Sequence, residues 1–347
     1  MLGTGSLVLL CVVPATGAAP PPVGAPAPHP AVAVAAEASP SSPSSPLPTP
    51  SGPPPLPVIR VDTSLVDDTA HRSGAPKVVS AAGILVDIDS QEVLWQHNPD
   101  ERRAPASTSK LMTALVTLYN FPMSQAVTVS PPAANRDGVE TKMGLHAGET
   151  LTVKELLTGM LVVSANDAAM SMAYDTVGMD RFVATMNAQA DAMGLHDSHF
   201  VNPSGYPDDP AEVSSARDLA AMMMVAWKYF PVFDELAGVR GDLTLPATPT
   251  HPAYPMHNVM SRIFSYYPPT VAGKSGFTDA AGPCVVTVAT RGNHHLVLVL
   301  LDAEAMVRDN GPLLDWGFVQ EGLPPLIVPS PSPSPGASAS PSPKRVR

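Results

Sequence analysis

Between residues 77 and 328 the hydrophobic pattern changes period twice, and each period predicts a different element. Near the start, "AAGILVDI" and "EVLWQH" are short apolar runs on either side of Asp89-Ser90-Gln91, which predicts a β-hairpin. Leu111, Ala114, Leu115 and Leu118 then recur at i, i+3, i+4 and i+7, the spacing of one buried helix face. "TVKELLTGMLV", "NDAAMSMAYD", "DRFVATMNAQADAM" and "SARDLAAMMMVAW" continue as helices, the last two with Asp180 and Ser215 as expected N-caps. Strand patterns return in "CVVTVAT" and "HLVLVLLD", joined across Gly292-Asn293. Strands from both chain ends around a helical middle predict an α+β fold, one antiparallel sheet with a helical subdomain packed on it. Methionines at helical spacing read as core filling and not as ligands.

Outside that region the periodicity stops. Fifteen prolines crowd residues 20–57 among Ala, Ser and Gly, and a second Pro/Ser run fills 329–343. Such stretches cannot bury enough apolar surface to offset chain entropy and read as extended linkers. The apolar run "LVLLCVV" at 7–13, followed by "ATGAA", reads as a secretory signal, although the usual basic residues before it are missing and the first is Arg60. The expected organisation is a signal peptide at 1–19, a linker at 20–76, one domain at 77–328 and a tail at 329–347. Export of this kind would place the protein outside the cytoplasm, secreted or associated with the cell envelope. Of two cysteines, Cys11 lies in the leader, so Cys284 has no partner for an internal disulfide. The apolar run at 296–301 is strand-length, far short of the ~20 residues that span a bilayer, and membrane attachment stays open. A net charge of −11 argues against nucleic acid or an anionic surface as partner. His196 and His199 share a loop without a third regularly spaced ligand, so no metal and no cofactor is expected. Asp218 reads as a carboxylate of a helix first turn.

Candidate chemistry begins at "PASTSKLMT", where Ser107 precedes Lys110 by three residues at the mouth of the first helix. That spacing is ~4.5 Å of helical rise, so the two side chains share a face. A serine hydroxyl becomes nucleophilic when a neighbour takes its proton, and a neutral lysine amine can do so. Burial and a second cation would both hold the lysine neutral. Taken alone, the pattern equally fits a capping serine beside a solvated lysine. Two further motifs accompany it: "SAND" at 164–167 between two helices, and "GKSGFTDAAG" at 273–282 entering the last strand pair. Ser-x-x-Lys, Ser-x-Asn and Lys-[Ser/Thr]-Gly each occur once, in that order.

This ordered set resembles the active-site serine penicillin-binding proteins and serine β-lactamases. "GETLTVKELLTGMLVVSANDAAM", "FVNPSGYPDD", "SSARDLA" and "LLDWGF" are similar to the D-alanyl-D-alanine carboxypeptidases among the low-molecular-mass penicillin-binding proteins, across roughly 77–317. The resemblance implies a β-lactamase/transpeptidase-like fold in a monomer that removes the terminal D-Ala from peptidoglycan pentapeptide stems and is acylated by β-lactam antibiotics. It further implies that Ser107 is the nucleophile, Lys110 its base and Ser164 the relay of a proton to the leaving D-alanine. Asn166 would hydrogen-bond the substrate backbone. Lys274 would keep Lys110 neutral and attract the substrate carboxylate, and Ser275 would bind that carboxylate. The backbone N–H groups of Ser107 and Phe277 would form the oxyanion hole. Gly276 would let the substrate strand lie against the sheet edge. The chain departs from the common pattern in carrying Ser275 where threonine is usual and "NPSG" where "NPHG" is usual. Three alternatives remain open. A serine β-lactamase of class A type would need a water-activating glutamate, and neither Glu212 nor Glu235 lies in a Glu-x-x-Leu-Asn context. A D,D-endopeptidase would share the fold, and a catalytically silent wall-binding protein would not need the intact motifs. Any part of Arg262 in carboxylate binding is left unassigned, as is the peptidoglycan chemotype.

Overall fold

The computed structural model describes residues 53–135 and 140–326; the expected signal, most of the expected linker and the tail at 329–347 lie outside the described residues. The chain enters through a two-residue strand β1 (Val66–Asp67) and the hairpin β2 (Ala82–Asp87) and β3 (Glu92–His97). The helical middle runs through α1 (Lys110–Asn120), a short pair β4 (Ala126–Thr128) and β5 (Thr150–Thr152) enclosing α2 (Pro131–Ala134), then α3 (Val153–Val162), α4 (Asn166–Tyr174), α5 (Met179–Met193), α6 (Ala216–Tyr229) and α7 (Pro231–Ala237). A second small pair, β6 (Asp242–Leu245) and β7 (Tyr254–His257), and α8 (Ser261–Tyr266) lead into β8 (Thr270–Thr278), β9 (Gly282–Arg291), β10 (His294–Leu301) and α9 (Met306–Gln320).

The main sheet has the order β1-β3-β2-β10-β9-β8. Strands from both ends of the chain therefore meet at β2 and β10, as the periodicity predicts. The sheet is antiparallel across five strands, and β1 adds a parallel pairing at one edge that the sequence pattern does not show. Alternation along β10 divides the core: Val297, Val299 and Leu301 face the helical subdomain, while Leu296, Leu298 and Leu300 face α8 and α9 through Phe264, Leu313, Leu314 and Phe318. Burial on both faces explains why "HLVLVLLD" reads as an unbroken apolar run. At the far edge no strand among the described residues pairs with β8 on its outer side. That edge carries Gly273 to Thr278, and the site forms along it.

Two expectations need correction. Ser215 caps α6, accepting the N–H of Asp218, but Asp180 lies inside the first turn of α5, whose N-cap is Gly178 at φ +87°. Residues 53–76, expected as part of the linker, are bound to the domain. The Leu56 N–H donates to Thr185 Oγ1, and Ile59 is held from both its N–H and its carbonyl by the Gln189 side chain. Thr63 donates to the Met193 carbonyl, and Ile59 itself is buried in the main core. Proline-rich composition concealed this because one isoleucine and a row of backbone hydrogen bonds leave no periodic signature.

Candidate active site

The local fold first explains where the serine points. Residues 106–109 form a 3₁₀ turn that runs into α1 at Lys110, and Ala106 just before Ser107 sits at φ +48°. This left-handed conformation is unfavourable for a residue with a Cβ and is held by its surroundings. Segment 201–205 lies against the turn so closely that a Cβ on Gly205, itself at φ +73°, would stand 1.9 Å from the Ala106 carbonyl oxygen. On another side β8 closes in: a Cβ on Gly276 would stand 2.7 Å from the Ser107 nitrogen. Gly276 therefore serves first to let the sheet edge reach the Ser107 turn.

Lys110 is fully buried, and its Nζ makes three contacts: 2.9 Å to Ser107 Oγ, 2.6 Å to Asn166 Oδ1 and 2.6 Å to the Ser204 carbonyl. Two of these partners can only accept. A neutral amine has two N–H bonds and one lone pair, so both N–H bonds are taken by Asn166 and Ser204 and the lone pair is left facing the Ser107 hydroxyl. Burial pushes the Lys110 ammonium well below its ordinary range, and the charge of Lys274 pushes the same way; Glu140, Glu212 and Asp167 oppose them. Lys274 is also fully buried, donating to Ser164 Oγ at 2.7 Å and to the Ser275 carbonyl at 2.7 Å, and burial brings it down to about 7. Ser164 sits between α3 and α4 at φ +62°, a second strained residue at this site.

The cleft, about 300 Å³, brings together Ser107, Ser164, Asn166, Ser275, Gly276 and Phe277, with Glu140, Thr141, Tyr206, Val259 and Met306 completing its walls. Lys110 and Lys274 stand behind this surface. Phe277 is exposed at the rim. Asn166 Oδ1 holds Lys110 and one Nδ2–H donates to Glu140 at 2.7 Å, which leaves the second N–H of the amide for a further acceptor. Arg262 does not line this cleft; it is exposed on α8, beside neighbouring depressions. His196 and His199 are exposed, and Asp218 in the first turn of α6 receives the Asp197 N–H and the Ser198 hydroxyl.

Three carboxylates escaped sequence reasoning as parts of the site. Asp167 collects the N–H groups of Met143, Gly144 and Leu145, fixing the strand of chain opposite Ser164. Glu140 holds Asn166, and buried Glu212 holds Ser109. Asp167 could have been suspected from its place in "SAND"; Glu140 and Glu212 carry no local signal.

Residues 69–305 match the family model described as D-alanyl-D-alanine carboxypeptidase. The chain belongs to this family. Among curated relatives, it is 32% identical to D-alanyl-D-alanine carboxypeptidase DacB2 of Mycobacterium tuberculosis, over 68% of this chain and 81% of the relative. It is 31% identical to the D-alanyl-D-alanine endopeptidase of Escherichia coli, over 67% of this chain and 74% of the relative. A solved D-alanyl-D-alanine carboxypeptidase from M. tuberculosis superposes with a TM-score of 0.65 at 29% identity, covering 72% of this chain and 95% of that one. The Streptomyces K15 DD-transpeptidase does so with a TM-score of 0.64 at 25% identity, covering 71% and 100%. Family membership thus extends over the sheet and the helical subdomain together.

Proposed function

We propose that the protein is a serine-type D-alanyl-D-alanine carboxypeptidase that removes the terminal D-Ala from peptidoglycan pentapeptide stems. The observation that carries this reading is the Lys110 amine, buried and held by two acceptors so that its lone pair faces Ser107 Oγ. Ser107 attacks the carbonyl carbon of the penultimate D-Ala as its proton passes to Lys110. Negative charge develops on the carbonyl oxygen, and the N–H groups of Ser107 and Phe277 are assigned to receive it. Collapse breaks the C–N bond, and Ser164, hydrogen-bonded to Lys274, delivers a proton to the departing D-Ala amine. Water then cleaves the acyl ester and restores Ser107. Lys274 and Ser275 serve the carboxylate of the leaving residue, and the second Nδ2–H of Asn166 donates to the substrate backbone while the first stays on Glu140.

Substrate on the peptidoglycan places the protein's work in the cell envelope, and we read residues 1–19 as its export signal. No helix among the described residues is long and apolar enough to cross a membrane. We take residues 53–326 as one catalytic unit acting as a monomer. The relative named an endopeptidase supports a second reading, cleavage of crosslinked stems through the same acyl-enzyme with a larger leaving group.

Penicillin tests the assignment, since its strained amide presents the same carbonyl to Ser107 and its leaving nitrogen stays tethered in the site. Intact-mass measurement should show one added penicillin, mapped to Ser107 and absent in Ser107→Ala, together with D-alanine release from a pentapeptide. Rapid penicillin turnover without a lasting adduct would instead indicate a β-lactamase. Absence of adduct, turnover and D-alanine would indicate a wall-binding protein without catalysis.

A further inference from the structure

Glu212 lies in none of the three motifs, yet it is 3% exposed and sits directly beneath the nucleophile turn. One carboxylate oxygen accepts the Ser109 hydroxyl at 2.7 Å, and the other accepts the N–H groups of Val201 at 2.7 Å and Asn202 at 3.3 Å. Ser109 belongs to the 3₁₀ turn that presents Ser107, whereas 201–202 open the segment whose Ser204 carbonyl receives Lys110 Nζ at 2.6 Å. The same segment is fastened to α1 once more, by Thr113 donating to the Pro203 carbonyl at 2.6 Å. Asn202 Oδ1 then accepts from the Ser204 and Gly205 N–H groups, which fixes the direction of the Ser204 carbonyl.

We propose that Glu212 is a positioning residue for the acylation reaction: its carboxylate ties the Ser107 turn to segment 201–205, so that the Ser204 carbonyl holds the Lys110 amine with its lone pair on the serine hydroxyl. Without that tie the segment keeps the Thr113–Pro203 bond and the packing of Gly205 on Ala106 but loses its polar anchor to Ser109, and the Ser204 carbonyl is free to shift relative to Lys110. A shift of ~1 Å in such an arrangement costs on the order of 100-fold in rate.

The carboxylate also acts through its charge. The charged groups that face Lys110 are Lys274 from β8, Glu140 and Asp167 from the opposite wall, and Glu212 from below; the charge that faces Glu212 is Asp209. Burial pushes Glu212 itself upward, and its three hydrogen-bond donors favour the ionised form. A negative Glu212 favours protonated Lys110. Removing that charge should therefore let Lys110 lose its proton at lower pH, and the acid limb of acylation should move down.

This inference rests on the reading of Lys110 as the base, and the experiment separates the two. Penicillin acylation of the full chain is followed against pH for wild type, Glu212→Gln, Glu212→Ala and Lys110→Ala, with thermal melts on each. Glutamine can keep all three contacts, its amide N–H₂ donating to Ser109 and its carbonyl accepting the two backbone N–H groups. The acid limb of Glu212→Gln should lie about half a pH unit or more below wild type. Glu212→Ala should acylate about 10- to 100-fold more slowly at every pH. Glu212→Ala acylation as fast as wild type would overturn the inference, whether or not its melting temperature falls, as would Glu212→Gln acylation slowed as much as that of Glu212→Ala. If Glu212→Ala fails to fold, Ser109→Ala, which removes the same tie from the side of the turn, decides by the same comparison. Undiminished acylation by Lys110→Ala would instead sink the reading of the base.

Discussion

Two buried lysines share one small volume, and their different partners divide the labour between them. Lys110 meets acceptors that leave its lone pair on Ser107, whereas Lys274 meets a hydroxyl and a carbonyl and is brought to about 7 by burial. Lys110→Ala should slow acylation by roughly 10²- to 10⁴-fold, the usual worth of a general base, with a native circular dichroism spectrum. Near-wild-type D-alanine release would refute its role. Lys274 has a stability signature as well. The unfolded chain keeps this lysine protonated up to its ordinary value of 10.5, while the folded chain releases the proton from about 7. Above 7 the unfolded state thus binds more protons, and the stability contributed by this group rises with pH. Between pH 7 and 9 the melting temperature of Lys274→Met should climb less steeply than that of wild type. Equal slopes would mean that the ammonium is solvated.

Elements with weak sequence signals fix the parts with strong ones. Residues 53–76 bury Ile59, bond to Thr185, Gln189 and Met193 on or beside α5, and add β1 next to β3. Losing one buried isoleucine and several net hydrogen bonds amounts to a few kcal/mol. A protein truncated to 77–326 should therefore melt about 5 °C or more below one spanning 53–326. Equal melting temperatures would show that this segment merely rests on the surface. Segment 201–205 is the second case. Gly205→Ala adds a Cβ where the Ala106 carbonyl already stands and strains a positive φ, so it should cost more than about 2 kcal/mol and slow acylation as the Ser107 turn is displaced. Retained melting temperature with retained acylation would contradict this close fit.

At the scale of the molecule the site is a seam. Ser107 comes from the turn before α1, Ser164 and Asn166 from the junction of α3 and α4, and Lys274 to Phe277 from the free edge of β8. A penicilloyl group on Ser107 that also contacts the β8 edge would join the helical subdomain to the sheet and bind the native state alone. The acylated protein should melt several degrees higher than the free one, with no change for Ser107→Ala under the same treatment. An unchanged melting temperature after full acylation would mean that the adduct contacts one side only.

Periodicity alone was enough to place the β2–β3 hairpin, the α1 face and the β9–β10 pair, because a strand or helix that buries one face must repeat its apolar residues at 2 or 3.6. The three motifs were equally legible, since their chemistry demands particular side chains at short spacing. Tertiary structure decided what depends on neighbours distant in sequence. Burial and the charge of Lys274 push Lys110 below its ordinary range, and a carbonyl 94 residues away and an amide 56 residues away orient it. Glu212 meets the Ser107 turn through a hydrogen bond to Ser109 that spans 103 residues. Segment 53–76 docks through one buried isoleucine, the Thr63 hydroxyl and the backbone groups of Leu56 and Ile59, too few and too irregularly spaced to leave a period in the sequence. Hydrogen-bond partners and desolvation are properties of the folded neighbourhood, and a linear sequence records them only where they also impose a period.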